Sequence, residues 1–115
     1  MTLNELNTII NGNILYSGGS GQLEDNLLAC ASDLMSDVLT LGDHKMILVT
    51  GLNNPQSIRT AEIADIATVI FVRNKVPSKE MQEIAKGAGI NLIVSEKSMF
   101  HVSGLLYNAG IKPVY

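Results

Sequence analysis

The stretch Leu27-Leu28-Ala29-Cys30-Ala31-Ser32-Asp33-Leu34-Met35-Ser36-Asp37-Val38-Leu39 decides the fold, because an apolar run passes straight into a helix-start signal. Its first half reads as a strand buried on both faces. From Ser32 the spacing turns helical: Leu34, Val38 and Leu41 recur at i, i+4 and i+7, with Asp33 and Asp37 beside the stripe. Ser32 is the expected N-cap. A buried strand that delivers a capped polar turn sets Ser32, Asp33, Ser36 and Asp37 at a sheet edge, where α/β proteins hold their sites. Cys30, inside the apolar run, reads as a small buried hydrophobe.

Beyond this stretch the chain becomes regular. Residues 45–50, 68–73 and 91–95 are apolar runs rich in β-branched residues, and a helix-start signal follows each of them. Asn54-Pro55 places Pro at a first helical position, Ser78 precedes Glu80 and Met81, and Ser98 precedes Met99. Met81, Ile84, Ala85 and Ala88 form one apolar stripe; Met99, Val102, Leu105, Leu106 and Ala109 form another; Gly89 and Gly110 stop the two helices. Gly42 is the expected stop after residue 41, and His44 reads as an exposed loop residue. Strands alternating with helices of this length imply parallel pairing with right-handed crossovers. The expected fold is a three-layer α/β/α domain spanning 1–115, with a mostly parallel sheet of about five strands.

At the start of the chain, Thr2 and Glu5 form a capping box, and Leu3, Leu6, Ile9 and Ile10 share one helical face. Asn11-Gly12 ends that helix, and residues 13–17 read as a short strand before Gly18-Gly19-Ser20-Gly21. A Walker phosphate loop needs Gly-Lys-Ser/Thr after its spacer, and Gln22-Leu23-Glu24-Asp25 supplies neither Lys nor a hydroxyl. The glycine cluster therefore reads as a flexible connection.

Composition narrows the function classes. The chain is 46% hydrophobic but only 4% aromatic with no Trp, so its core is built from aliphatic residues, as in a sheet covered by small-residue helices. A net charge of −3 with eight Lys and Arg argues against a nucleic-acid surface. One cysteine allows no disulfide framework, and no run approaches the roughly 20 apolar residues of a membrane span. A soluble, cytoplasmic protein without membrane or nucleic-acid partners is expected.

The residues Ser32-Asp33-Leu34-Met35-Ser36-Asp37-Val38, the strand ending Thr50-Gly51, the helix start Pro77-Ser78-Lys79-Glu80, and Ser95-Glu96-Lys97-Ser98-Met99-Phe100 leading to Gly104-Leu105-Leu106-Tyr107 together resemble the DRTGG domain family. The resemblance covers nearly the whole chain. It implies a fold similar to the N-terminal domain of HPr kinase/phosphorylase. It also implies a non-catalytic module, found alone or joined to CBS or phosphotransacetylase domains and often self-associating. The chain departs from the family's naming residues: Asp25 is followed by Asn26 rather than Arg, and Ala29 and Cys30 stand at the glycine positions.

Catalysis requires a nucleophile with a base, a tuned carboxylate pair or a metal cage, and the sequence offers none of these. Asp33 and Asp37, four apart, could share a cation, but the dipole of an N-terminal helical turn collects acids without one. His101 falls one position off its apolar stripe and reads as a partly buried edge or interface residue. No HxxxH or CxxC spacing points to a metal, and no cofactor is expected. The strand ends are richer. Thr50, Gly51, Asn53, Asn54, Arg73, Ser95 and Ser98 follow parallel strands and should gather at one carboxyl edge, either as caps and solvated loops or as an anion-binding site. The expected function is a regulatory or small-ligand-sensing module, a homodimer, binding an anionic small molecule such as a nucleotide. The alternative is a ligand-free dimerisation scaffold, with a phosphotransfer-related enzyme ranked last.

Overall fold

Three short runs in the middle of the chain are buried at every position but one, and such strands need cover on both faces. In the computed structural model, which describes residues 1–41 and 45–115, two helical layers provide it. The elements run α1 (Leu3–Ile9), β1 (Gly12–Tyr16), β2 (Leu28–Ala31), α2 (Met35–Leu39), β3 (Met46–Thr50), α3 (Pro55–Ile63), β4 (Thr68–Phe71), α4 (Lys79–Ala88), β5 (Asn91–Ser95), α5 (Met99–Asn108) and β6 (Lys112–Pro113). The expected Gly42 stop and the His44 loop lie outside the described residues.

The sheet has the order β1-β5-β4-β3-β2-β6, with β2 to β6 parallel to their neighbours and β1 antiparallel to β5. Alternation along the strands divides the core. Met46, Leu48, Val69, Phe71 and Leu92 pack under Met35 and Val38 of α2, Ile58 and Ala61 of α3, and Met81 and Ala85 of α4. Ile47, Val49, Ile70 and Ile93 pack under Leu3 and Leu6 of α1 and Val102 and Leu106 of α5. The fold is thus three-layered α/β/α, as the βα rhythm requires. The sheet gains a sixth, two-residue strand that residue patterning does not reveal, because β6 is held by pairing to Leu28 and Ala29 rather than by its own burial.

Each main helix start behaves as its cap residue dictates. The Thr2–Glu5 capping box is formed in both directions, Asn54 Oδ1 accepts from Gln56 N at 3.0 Å, Ser78 Oγ from Met81 N at 3.2 Å, and Ser98 Oγ from His101 N at 3.1 Å. Gly89 closes α4 in the left-handed conformation, φ 70°, which costs a residue without a Cβ little.

The stretch after β2 departs from its sequence reading. The helix begins at Met35 rather than just after Ser32, and its N-cap position is Leu34, with no side-chain cap. Ser32 Oγ instead accepts from Leu34 N at 3.0 Å in a local turn. The cause is Asp33, whose carboxylate reaches across to β3 and keeps the chain non-helical for two more residues. The apolar stripe consequently moves: Met35 and Val38 are buried, Leu41 is half-buried, and Leu34 is 57% exposed. Asp33 precedes the helix, so it does not share a helical face with Asp37. Strand β2 is only half-buried, Cys30 included, because its outer neighbour is two residues long.

Two smaller differences have steric causes. Strand β1 starts at Gly12, where a Cβ would sit 2.6 Å from Ile93 Cγ2 and 2.7 Å from Asn7 Oδ1. Gly18 is not simply a flexible joint, since a Cβ there would collide with the Gly89 carbonyl, and Gly18 N donates to Asn91 Oδ1 at 2.7 Å. Gly19 and Gly21 do have open space around them.

Candidate functional site

The connection after β4 leads to α4 on one face of the sheet, whereas the connection after the adjacent β5 leads to α5 on the other. Neighbouring strands whose loops part to opposite faces leave a crevice at their carboxyl ends, the usual ligand position in open α/β sheets. Here backbone hydrogen bonds stitch the two loops together: Arg73 N donates to Lys97 O at 2.8 Å and Asn74 N to Ser95 O at 2.9 Å. Both residues take left-handed backbone, φ 56° at Arg73 and 55° at Asn74. For a long side chain such as Arg this conformation costs about 1–2 kcal/mol, which the two inter-loop bonds help to offset.

Strand-end residues expected to bind a ligand separate into two groups. Thr50 and Ser95 are buried. Thr50 Oγ1 donates to Asp33 Oδ1 at 3.0 Å and accepts from Leu52 N at 3.1 Å. Ser95 Oγ donates to Ile10 O at 2.9 Å, tying the end of α1 to β5, and accepts from Lys97 N at 3.3 Å. Asn53 Nδ2 donates to Val76 O at 2.9 Å, and Asn54 and Ser98 cap their helices. These side chains shape the edge.

Arg73 remains exposed at the edge, with Lys75 beside it and a half-buried Lys97 on the facing loop. The guanidinium lies over Gly51: a Cβ on that glycine would stand 2.8 Å from Arg73 Nη2. Gly51 is thus placed for close approach, and its N–H is held by Asp33 Oδ1 at 2.6 Å. Ser32 is half-buried, whereas Ser36 and Asp37 are exposed on α2 and separate from the Arg73 crevice in the sheet order. His101 is exposed rather than partly buried, since α5 turns Val102 and Leu106 to the sheet and presents His101 with Phe100 to solvent.

Sequence reasoning missed a contribution from β1. Antiparallel pairing sets Gly12 opposite Ser95, so Asn11 and Asn13 arrive at the carboxyl edge from a strand that runs the other way. Together with Asn74 and Glu96 they border a cleft of about 400 Å³. Only the pairing direction could have disclosed it.

Among the described residues, no group of three or more His, Cys, Asp or Glu is placed to hold a metal ion, and no helix is long and apolar enough to cross a membrane. Burial and, secondarily, the charge of Asp37 push the Cys30 thiol above its ordinary 9.0. That keeps it protonated and poorly nucleophilic at neutral pH.

No protein-family model and no curated protein matches the chain. Among solved structures it is similar to the CBS and DRTGG domains of the regulatory region of Clostridium perfringens pyrophosphatase, complexed there with the activator diadenosine tetraphosphate. The match covers 98% of this chain at 17% identity with a TM-score of 0.76, and the chain spans 48% of the length of that structure. With its three layers, its mostly parallel sheet and this structural neighbour, the chain has a DRTGG-related fold.

Proposed function

We propose that residues 1–115 act as one non-catalytic regulatory module that senses an anionic small molecule, such as a nucleotide, at the carboxyl edge of the sheet. The observation that carries this reading is the pair of loops at the carboxyl ends of β4 and β5. The two loops are locked by the Arg73–Lys97 and Asn74–Ser95 backbone bonds, while the side chains of Arg73 and Lys75 stay exposed. A guanidinium grips phosphate with two parallel hydrogen bonds where lysine offers a point charge, so Arg73 is the principal anchor and Lys75 and Lys97 are auxiliary. The N-termini of α4 and α5, which start beside these loops, add a favourable field for an anion. A nucleotide-regulated neighbour of the same fold supports this choice of ligand class. The test is a thermal-shift screen against nucleotides and phosphorylated metabolites. A ligand at 100 times its Kd should stabilise the protein by about 2.7 kcal/mol, and that gain should shrink to about 1.3 kcal/mol or less in Arg73→Ala.

A second reading, a dimerisation scaffold, draws on α5, whose outer face exposes Phe100 by 89% and Tyr107 by 70%. Helix α5 carries no Asp, Glu, Lys or Arg, so two copies could approach along it without charge repulsion.

A further inference from the structure

At this edge most hydrogen-bonding side chains are occupied by the fold: Thr50, Ser95, Asn53, Asn54, Asp33 and Ser98 each have a partner. Besides the cations Arg73, Lys75 and Lys97, the exceptions among the described residues are Asn11, Asn13, Asn74 and Glu96. All four are exposed, their side chains make no hydrogen bond among the described residues, and all four border the same cleft of about 400 Å³. Its wall is apolar, made by Leu15 of β1, Val94 of β5 and Val76 of the loop that follows Arg73. Asn11 and Asn74 are both held in left-handed backbone, φ 49° and 55°, at opposite sides of the opening.

Among the described residues no cation lines this cleft and Glu96 does, so a phosphate would be repelled from it. Three carboxamides can both donate and accept, and a carboxylate can only accept. That set, beside the aliphatic side chains of Leu15, Val76 and Val94, matches an uncharged planar ring that carries its own amino donor and ring-nitrogen acceptors. Asparagine pairs with adenine in this donor–acceptor manner. We propose that the Asn11–Asn13–Asn74–Glu96 cleft is the subsite for the amino-bearing heterocycle of the ligand, a purine base above all, and that its charged end lies outside the cleft, toward Arg73. This deepens the carboxyl-edge reading and rests on it only for the charged end. The adjacency of Arg73 and Asn74 in one turn joins the two halves: one residue meets the charge and the next meets the ring.

The experiment separates those halves by titrating adenosine, uridine and inorganic triphosphate individually into the full chain, with backbone amide NMR as readout. Adenosine should shift the amides of Asn11, Asn13, Asn74 and Glu96. Uridine, which lacks the exocyclic amino group, should bind several-fold more weakly. Asn74→Gly deletes a carboxamide while preserving the left-handed turn, and Asn13→Ala deletes another on an exposed strand position. Each should weaken adenosine about tenfold, as expected for one lost hydrogen bond of about 1.4 kcal/mol, and Arg73→Ala should leave adenosine unchanged. Triphosphate should show the opposite dependence. Adenosine that does not bind, or binds with no loss in both carboxamide variants, overturns the base subsite. Arg73-dependent triphosphate binding would then leave the anion site standing. Adenosine binding in the cleft without any Arg73-dependent triphosphate binding supports the subsite and removes the anion reading instead.

Discussion

Asp33 Oδ1 accepts a hydrogen bond from the backbone nitrogen of Gly51 at 2.6 Å and, with the same oxygen, another from Thr50 Oγ1 at 3.0 Å. One carboxylate thereby ties the end of β2 to the end of β3 and gives the buried Thr50 hydroxyl its acceptor. Removing it should leave a buried donor unpaired. Asp33→Ala is expected to cost about 1–3 kcal/mol and Asp33→Asn, which keeps an acceptor oxygen, clearly less. Urea denaturation of the two variants against wild type measures the loss, and wild-type stability in both would show that the link contributes nothing.

Arg73 reaches solvent across Gly51, so its truncation should barely touch the fold. Arg73→Ala should change stability by no more than about 0.5 kcal/mol and weaken any stabilising anion by about 1.5–3 kcal/mol. Calorimetric titration of the anion found by thermal shift checks this, and undiminished affinity in the folded variant would move the site away from Arg73.

Glycine at position 18 is required by contact with Gly89 rather than by flexibility. Because the opposing atoms are backbone and cannot rotate away, Gly18→Ala should destabilise by about 1–3 kcal/mol, whereas Gly19→Ala, in open space, should not. Thermal melts of the pair decide the matter: matching Tm values would mean the connection shifts without cost.

If α5 forms the dimer, Phe100 is its anchor. Phe100→Glu would put a charge into each half of a self-complementary contact and should weaken dimerisation at least about tenfold. Sedimentation across micromolar concentrations reports it. Wild-type protein that sediments as a monomer throughout would eliminate the scaffold reading.

The raised Cys30 thiol makes a prediction for alkaline pH. Burial and Asp37 disfavour the thiolate in the folded state, so the unfolded chain loses its proton first. The contribution of this thiol is therefore fully present below its ordinary 9.0 and is lost as pH rises through the higher folded value. Wild-type stability should fall more steeply than that of Cys30→Ala between neutral pH and about pH 10. Parallel pH slopes in urea denaturation would contradict this assignment.

Residue pattern alone determined the layers. Runs such as Met46–Thr50 and Thr68–Phe71 are almost unbroken in apolar character, so they had to be central strands covered twice. The caps Thr2, Asn54, Ser78 and Ser98 were legible because a cap is a contact across two or three residues. What tertiary structure decided were the long-range contacts, whose partners have no local trace. Asp33 was claimed by Thr50 and Gly51, seventeen and eighteen residues away, and so Ser32 lost the helix start that local pattern assigned to it. Ser95 was claimed by Ile10 across 85 residues, which turned an expected ligand contact into an internal tie. The antiparallel pairing of β1 with β5 brought Asn11 and Asn13 to an edge where only parallel-strand ends were expected. Short-range periodicity specifies which face of an element is buried. Which polar groups are consumed by the fold, and which are left to meet a ligand, depends on strand order and pairing direction, and these are set by packing across the whole sheet.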